Sequence, residues 1–219
     1  VKTFFWIAAG LVAFFTLAAL AEQWRRRAAR RTILGFDFPP FLRARLREHH
    51  PGLSDAQAAR VEQGLRQFFI ASAMARRRYV AMPSKVVDSL WHEFILHTRG
   101  YERFCRQAFG HLLHHVPAEA MPPDAASDRT KAAGLRRAWY WSCREEGIDP
   151  RKPARLPTLF ALDAALAVAG GYHYVPDCTL LGADRGHTHC ASGIGCGSSC
   201  GSGCGSDGGG DGGGGCGGD

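Results

Sequence analysis

VVDSLWHEFILHTRGYERFCRQAFGHLLHHVP, residues 86–117, is the stretch on which the fold turns. Val87, Leu90, Trp91, Phe94 and Ile95 recur at i, i+3, i+4, i+7 and i+8, the spacing of one apolar stripe on a helix. Tyr101, Phe104, Cys105 and Ala108 continue the pattern on a second helix, which Thr98 can cap and Gly110 ends. Two amphipathic helices joined this closely cannot bury their stripes alone and need further helices as partners.

The flanking sequence supplies them. FLRARLREHH (41–50) is a short helix stopped by Pro51-Gly52, and Ser54-Asp55 caps a longer one with Val61, Leu65, Phe68, Phe69 and Met74 on its apolar side. Pro122-Pro123-Asp124 precedes a helix through Trp139, Tyr140 and Cys143. Pro157 opens a last apolar helix that Gly170-Gly171 ends. No segment shows convincing β alternation, so the sequence predicts an all-α domain of about six helices over residues 41–171. GFDFPP within 32–40 reads as a linker whose phenylalanines can pack on the domain.

Ahead of the domain, TFFWIAAGLVAFFTLAALA (3–21) carries no charge and reaches roughly 28 Å as a helix, close to the hydrocarbon thickness of a bilayer. Arg25, Arg26, Arg27, Arg30 and Arg31 follow it, the basic flank of the positive-inside rule. The expectation is a transmembrane anchor with its flank over 1–31, placing a single-pass protein in a bacterial-type cytoplasmic membrane with the domain in the cytoplasm. The alternative is export after signal-peptide cleavage at Ala21, because Ala19-Leu20-Ala21 has the A-x-A form. The formal net charge of +7 is read through that arginine block as membrane affinity. Aromatics do not alternate with the remaining basic runs as stacking platforms would require, which argues against nucleic acid.

Chemistry-bearing residues gather at the edge of the central stripe. Asp88 and His92 are one helical turn apart, so their side chains lie one above the other. His111, His114 and His115 follow Gly110. Three readings fit these letters: a divalent metal such as zinc held by Asp88, His92 and one or two of the later histidines, with Cys105 as a soft fourth ligand; His92 acting as a base beside a Cys105 nucleophile; or a purely structural cluster. Nothing matches a phosphate loop or a nucleophile elbow, and Leu96 stands where a H-E-x-x-H helix needs its second histidine.

Val87, Asp88, Trp91 and His92, then Tyr101 and Cys105 four apart, then His115 and Pro117, resemble the pattern of the glycine-rich domain-containing protein family. The similarity is clear over residues 83–117. Phe94 stands where plant members often place a second histidine. The resemblance implies a helical module with a shared polar site, and it carries no biochemical activity over to this chain.

From Cys190 to Asp219 half of the residues are glycine, so residues 172–219 are expected to form a flexible Gly/Cys-rich tail. Cys190, Cys196, Cys200 and Cys204 offer a loose soft-metal site there, without the paired C-x-x-C of a zinc ribbon. The function expected from all this is a membrane-anchored helical binding module holding a divalent metal through Asp88, His92, His115 and Cys105, with a protein partner. The alternatives are a scaffold without ligand and a His/Cys-dependent enzyme.

Overall fold

The computed structural model describes residues 2–116, 122–176, 188–190 and 194. Among the described residues seven helices follow one another: α1 (Lys2–Leu34), α2 (Phe41–His49), α3 (Asp55–Met74), α4 (Lys85–Leu96), α5 (Thr98–Phe109), α6 (Ala125–Glu145) and α7 (Thr158–Ala165). The domain is all-α, with six helices after the first. Local chemistry starts several of them. Ser54 and Gln57 exchange side-chain and backbone bonds in a capping box at α3, and Asp124 accepts from Ser127 N at α6. Thr98 does not cap α5 but is its first residue, behind His97, which makes no side-chain cap bond. Gly110, at φ +74°, closes α5 in the left-handed conformation that glycine adopts without strain.

α3 is the central post, touching α1, α2, α4, α6 and α7. Its Gly64 lets α7 and α4 come close: a methyl there would sit 2.4 Å from Leu162 Cδ1 and 3.0 Å from Val87 Cγ2. Beside it lies a cluster of rings from four segments. Phe36 packs on Phe104 with centroids 4.7 Å apart, Phe38 on Phe94 at 5.2 Å, and Phe69 on Phe104 at 4.9 Å. Each buried phenylalanine contributes about 1.5–3 kcal/mol by leaving water. The expected linker is therefore largely core: Ile33 and Phe38 are buried, and Phe36 packs against them.

Charged groups fasten the ends. Glu62 on α3 pairs with Arg43 of α2 at 2.7 Å and with Arg66 at 2.9 Å. Arg66 Nη1 in turn donates to the Ile33 carbonyl at 2.7 Å, closing the last turn of α1. Arg30 pairs with Glu145 of α6 at 2.6 Å. Glu146 and Gln67 cap α7: Thr158 N donates to Glu146 at 2.6 Å and Leu159 N to Gln67 at 2.8 Å.

Two expectations change here. Among the described residues no helix is long and apolar enough to cross a membrane, so the fold lends no support to a transmembrane helix over 3–21. The apolar run is the first part of a 33-residue helix whose second part is rich in arginine and docked on the domain. At the other end, β1 (His173–Val175) and β2 (Thr188–Cys190) pair in parallel inside the stretch expected to be a tail. Tyr174 reaches the core against Phe160, with centroids 4.9 Å apart. Three-residue strands carry too little alternation to be read from sequence.

Candidate metal centre

Asp88 and His92 face the same side of α4 because they are one turn apart, and the connector 110–116 brings His115 across to them. His115 Nε2 donates to Asp88 Oδ1 at 3.0 Å. Its ring stands edge-on to His92 with centroids 4.3 Å apart, and edge-on to Trp91 at 4.6 Å. His92 Nδ1 donates to the Asp88 backbone carbonyl at 2.8 Å and lies 3.4 Å from Asp88 Oδ2. A carbonyl only accepts, so Nδ1 carries a proton, and in the neutral imidazole Nε2 is the nitrogen left to ligate. Each of the three residues offers one ligand atom, and these atoms lie within 4.8 Å of one another. His92 is half exposed, and the His115 side chain is 13% exposed, so one side of the cluster is wet and the other rests on the core.

The residues beneath the cluster explain how the connector is aimed. Trp91 Nε1 donates to the Tyr101 hydroxyl at 3.1 Å, and that hydroxyl donates to the Leu113 carbonyl at 2.5 Å. Tyr101 is buried, and burial pushes its phenol well above the ordinary range. It therefore stays a neutral donor. Trp91 packs on Phe68 at 4.8 Å, so α4, α5 and the connector are tied through one chain of bonds founded on α3. At the start of α4, Ser84 caps Val87 N and donates to Asp163 Oδ1 at 2.7 Å. Asp163, fully buried on α7, also accepts from Lys85 N at 2.8 Å, Val86 N at 3.2 Å and Tyr172 N at 2.9 Å. A carboxylate at a helix N-terminus meets both the open N–H groups and the positive end of the dipole.

The sequence-derived set is thus gathered in part. Asp88, His92 and His115 converge. Cys105 is fully buried, among the described residues it stands outside the cluster, and burial raises its thiol further, against weaker opposing contacts from Leu113 and Tyr101. It is a core residue, since its place on the apolar stripe of α5 points it inward. The proposed pairing of His92 with a Cys105 nucleophile has no geometry to support it. His111 donates from Nδ1 to the Phe109 carbonyl at 2.9 Å, and His111 and His114 are not among the converging ligand atoms, though they border a cleft that His115 also lines. Cys190 is disulfide-bonded and so offers no thiolate to a tail site; Cys196, Cys200 and Cys204 lie outside the described residues, as does Pro117. Tyr101 and Asp163 are what sequence reasoning missed as positioning residues. Tyr101 stands on a stripe and reads as core, whereas Asp163 interrupts an apolar helix and was the available signal.

A family model described as UCP032817-like matches residues 27–194. No curated protein and no solved structure matches the chain. The match replaces the resemblance to glycine-rich domain-containing proteins, to which nothing points. The letters that carried that resemblance are mostly packing and positioning residues, Val87, Trp91, Tyr101 and Cys105, which a helical pair can share with an unrelated one. The matched region reaches back into the arginine block and forward past β2, and it covers most of the chain. On that extent the chain belongs to the UCP032817-like family.

Proposed function

We propose that this protein is a binding module that holds a divalent metal through Asp88, His92 and His115. The observation that carries the reading is the convergence of one carboxylate and two imidazoles within 4.8 Å. Two nitrogens and one oxygen suit zinc or another divalent ion of similar hardness, with a fourth position left to water or to a partner's ligand on the exposed His92 side. A bound ion would replace the hydrogen bond between His115 Nε2 and Asp88 Oδ1, the neutral imidazole then carrying its proton on Nδ1. His92 Nδ1, bonded to its own helix backbone, fixes the orientation of the ring.

The test is the metal content of the purified full chain and of His92→Ala and His115→Ala variants. About one metal per folded chain, lost in both variants, is expected. A metal-free wild type that takes up no zinc on titration would sink the reading.

The apolar part of α1 seats this module at a lipid surface. Phe4, Phe14, Phe15 and Leu17 are 65–78% exposed. Flotation of the full chain with vesicles, lost on deletion of residues 1–21, is expected; recovery of the intact chain away from the vesicles would refute it.

A further inference from the structure

The arginine block of α1 and the run Arg76-Arg77-Arg78 are about fifty residues apart in the chain, and the fold makes them two walls of one cleft. This cleft, about 910 Å³, is bounded by α1, the end of α3 and the connector 111–116. Arg25, Arg26, Arg76, Arg77 and Arg78 line it, against a single carboxylate, Glu22. Glu22 is already shared between Arg26 at 2.9 Å and Arg76 at 3.3 Å. Arg25, Arg77 and Arg78 make no ion pair among the described residues. The guanidinium of Arg137 nearby is held below its usual range, first by burial and then by repulsion from Arg78 and Arg136. This is a local excess of positive charge with no internal answer.

Two further features mark the cleft as built for an occupant. Arg76 ends α3 at φ +54°, a left-handed conformation that is strained for a side chain other than glycine. That turn swings the arginine run to the rim, where all three side chains are exposed. The floor is different in kind: Phe68, Trp91 and Val80 are buried and apolar, and Phe109 borders them. A cationic rim over an aromatic floor fits an anionic head on an apolar body better than a small inorganic anion.

The face of α1 gives the direction of that body. Glu22, Arg25, Arg26 and Ala29 line the cleft at i, i+3, i+4 and i+7. The same face continues toward the N-terminus through Ala18, Phe15 and Leu11, all exposed. We propose that the cleft binds the phosphate headgroup of an anionic lipid, with its acyl chains along Ala18, Phe15 and Leu11. The identity of the ligand as a lipid rests on the seat proposed above for α1, whereas the phosphate site stands on the arginine geometry.

The test uses the full chain in non-ionic detergent with three soluble probes: dihexanoyl phosphatidic acid, dihexanoyl phosphatidylcholine and glycerol phosphate. Phosphatidic acid binds best. The variant Arg77→Gln/Arg78→Gln, altered at two exposed positions that carry no core contact, folds and loses roughly fivefold in affinity per arginine at low salt. Equal affinity for phosphatidylcholine, equal affinity of variant and wild type, or glycerol phosphate binding as tightly as the lipid, overturns the proposal. Because the probes are soluble, a failure here is separable from a failure of flotation.

Discussion

The Tyr101 hydroxyl donates to the Leu113 carbonyl at 2.5 Å, and through that bond the connector after α5 is held where His115 meets Asp88. The same oxygen accepts from Trp91 Nε1, so removing it strands two polar groups in a buried place.

Tyr101→Phe therefore keeps the ring and loses the aim. It is expected to cost about 1–3 kcal/mol of stability, since a buried donor and a carbonyl lose their partner. Metal affinity falls by roughly tenfold or more, as it does when a group that orients a ligand is removed. Urea denaturation and zinc titration of the variant read the two effects separately. Unchanged zinc affinity would mean that the connector is placed by other contacts.

Asp163→Ala tests the buried cap. Four bonds converge on that carboxylate from Ser84, Lys85, Val86 and Tyr172, and the first turn of α4 has no replacement acceptor. A loss of about 3 kcal/mol or more is expected from equilibrium unfolding. Asp163→Asn, which keeps acceptor geometry on one oxygen only, falls between. Because α4 carries Asp88 and His92, the alanine variant also weakens zinc binding.

Gly64→Ala sets two effects against each other. Alanine in place of glycine in a helix interior gains up to about 1 kcal/mol. Here the added methyl meets Leu162 at 2.4 Å and Val87 at 3.0 Å, both fully buried side chains. Overpacking of this kind costs about 1–3 kcal/mol, so net destabilisation is expected. Leu162→Ala, added to Gly64→Ala, recovers part of the loss relative to the sum of the single variants. Simple additivity in thermal melts would count against the contact.

Acid sensitivity is expected from Glu146. Burial acts to raise its carboxyl, but bonds from Thr158, Gln67 and Arg155 outweigh that and leave it below the usual carboxylate range. A group lowered in the folded state stabilises fully above its unfolded value, near 4.5. That contribution is lost as pH falls through the lower folded value. Melting temperature should thus drop below pH 5 more steeply in the wild type than in Glu146→Gln. The two curves would run parallel if Glu146 had no part in holding α7.

The apolar letters disclosed the helices because periodicity is a local property: Val87, Leu90, Trp91 and Phe94 on one stripe needed only their own spacing. Asp88 and His92 were legible for the same reason, being on one turn. Choosing His115 over His111 and His114 depends on the Tyr101–Leu113 bond, and that contact joins α5 to its own following connector in three dimensions. Cys105 misled because a thiol on an apolar stripe is written alike whether it serves a metal or fills space. Asp163 looked like a flaw in an apolar helix, since its four partners lie elsewhere in the chain. The arginine walls were invisible as a pair, since nothing in either run names the other.

The continuity of α1 makes it a mast rather than a tether. No loop separates the part that bears Phe4 to Leu20 from the part that carries Arg30 and Ile33 into the domain. At about 1.5 Å per residue, Leu20 stands only about 14 Å along the axis from Ala29. Whatever grips the upper part therefore sets the height and the heading of the cleft and of the Asp88 cluster. A glycine-serine insertion between Ala21 and Glu22 would keep every contact of the domain and abolish that bearing.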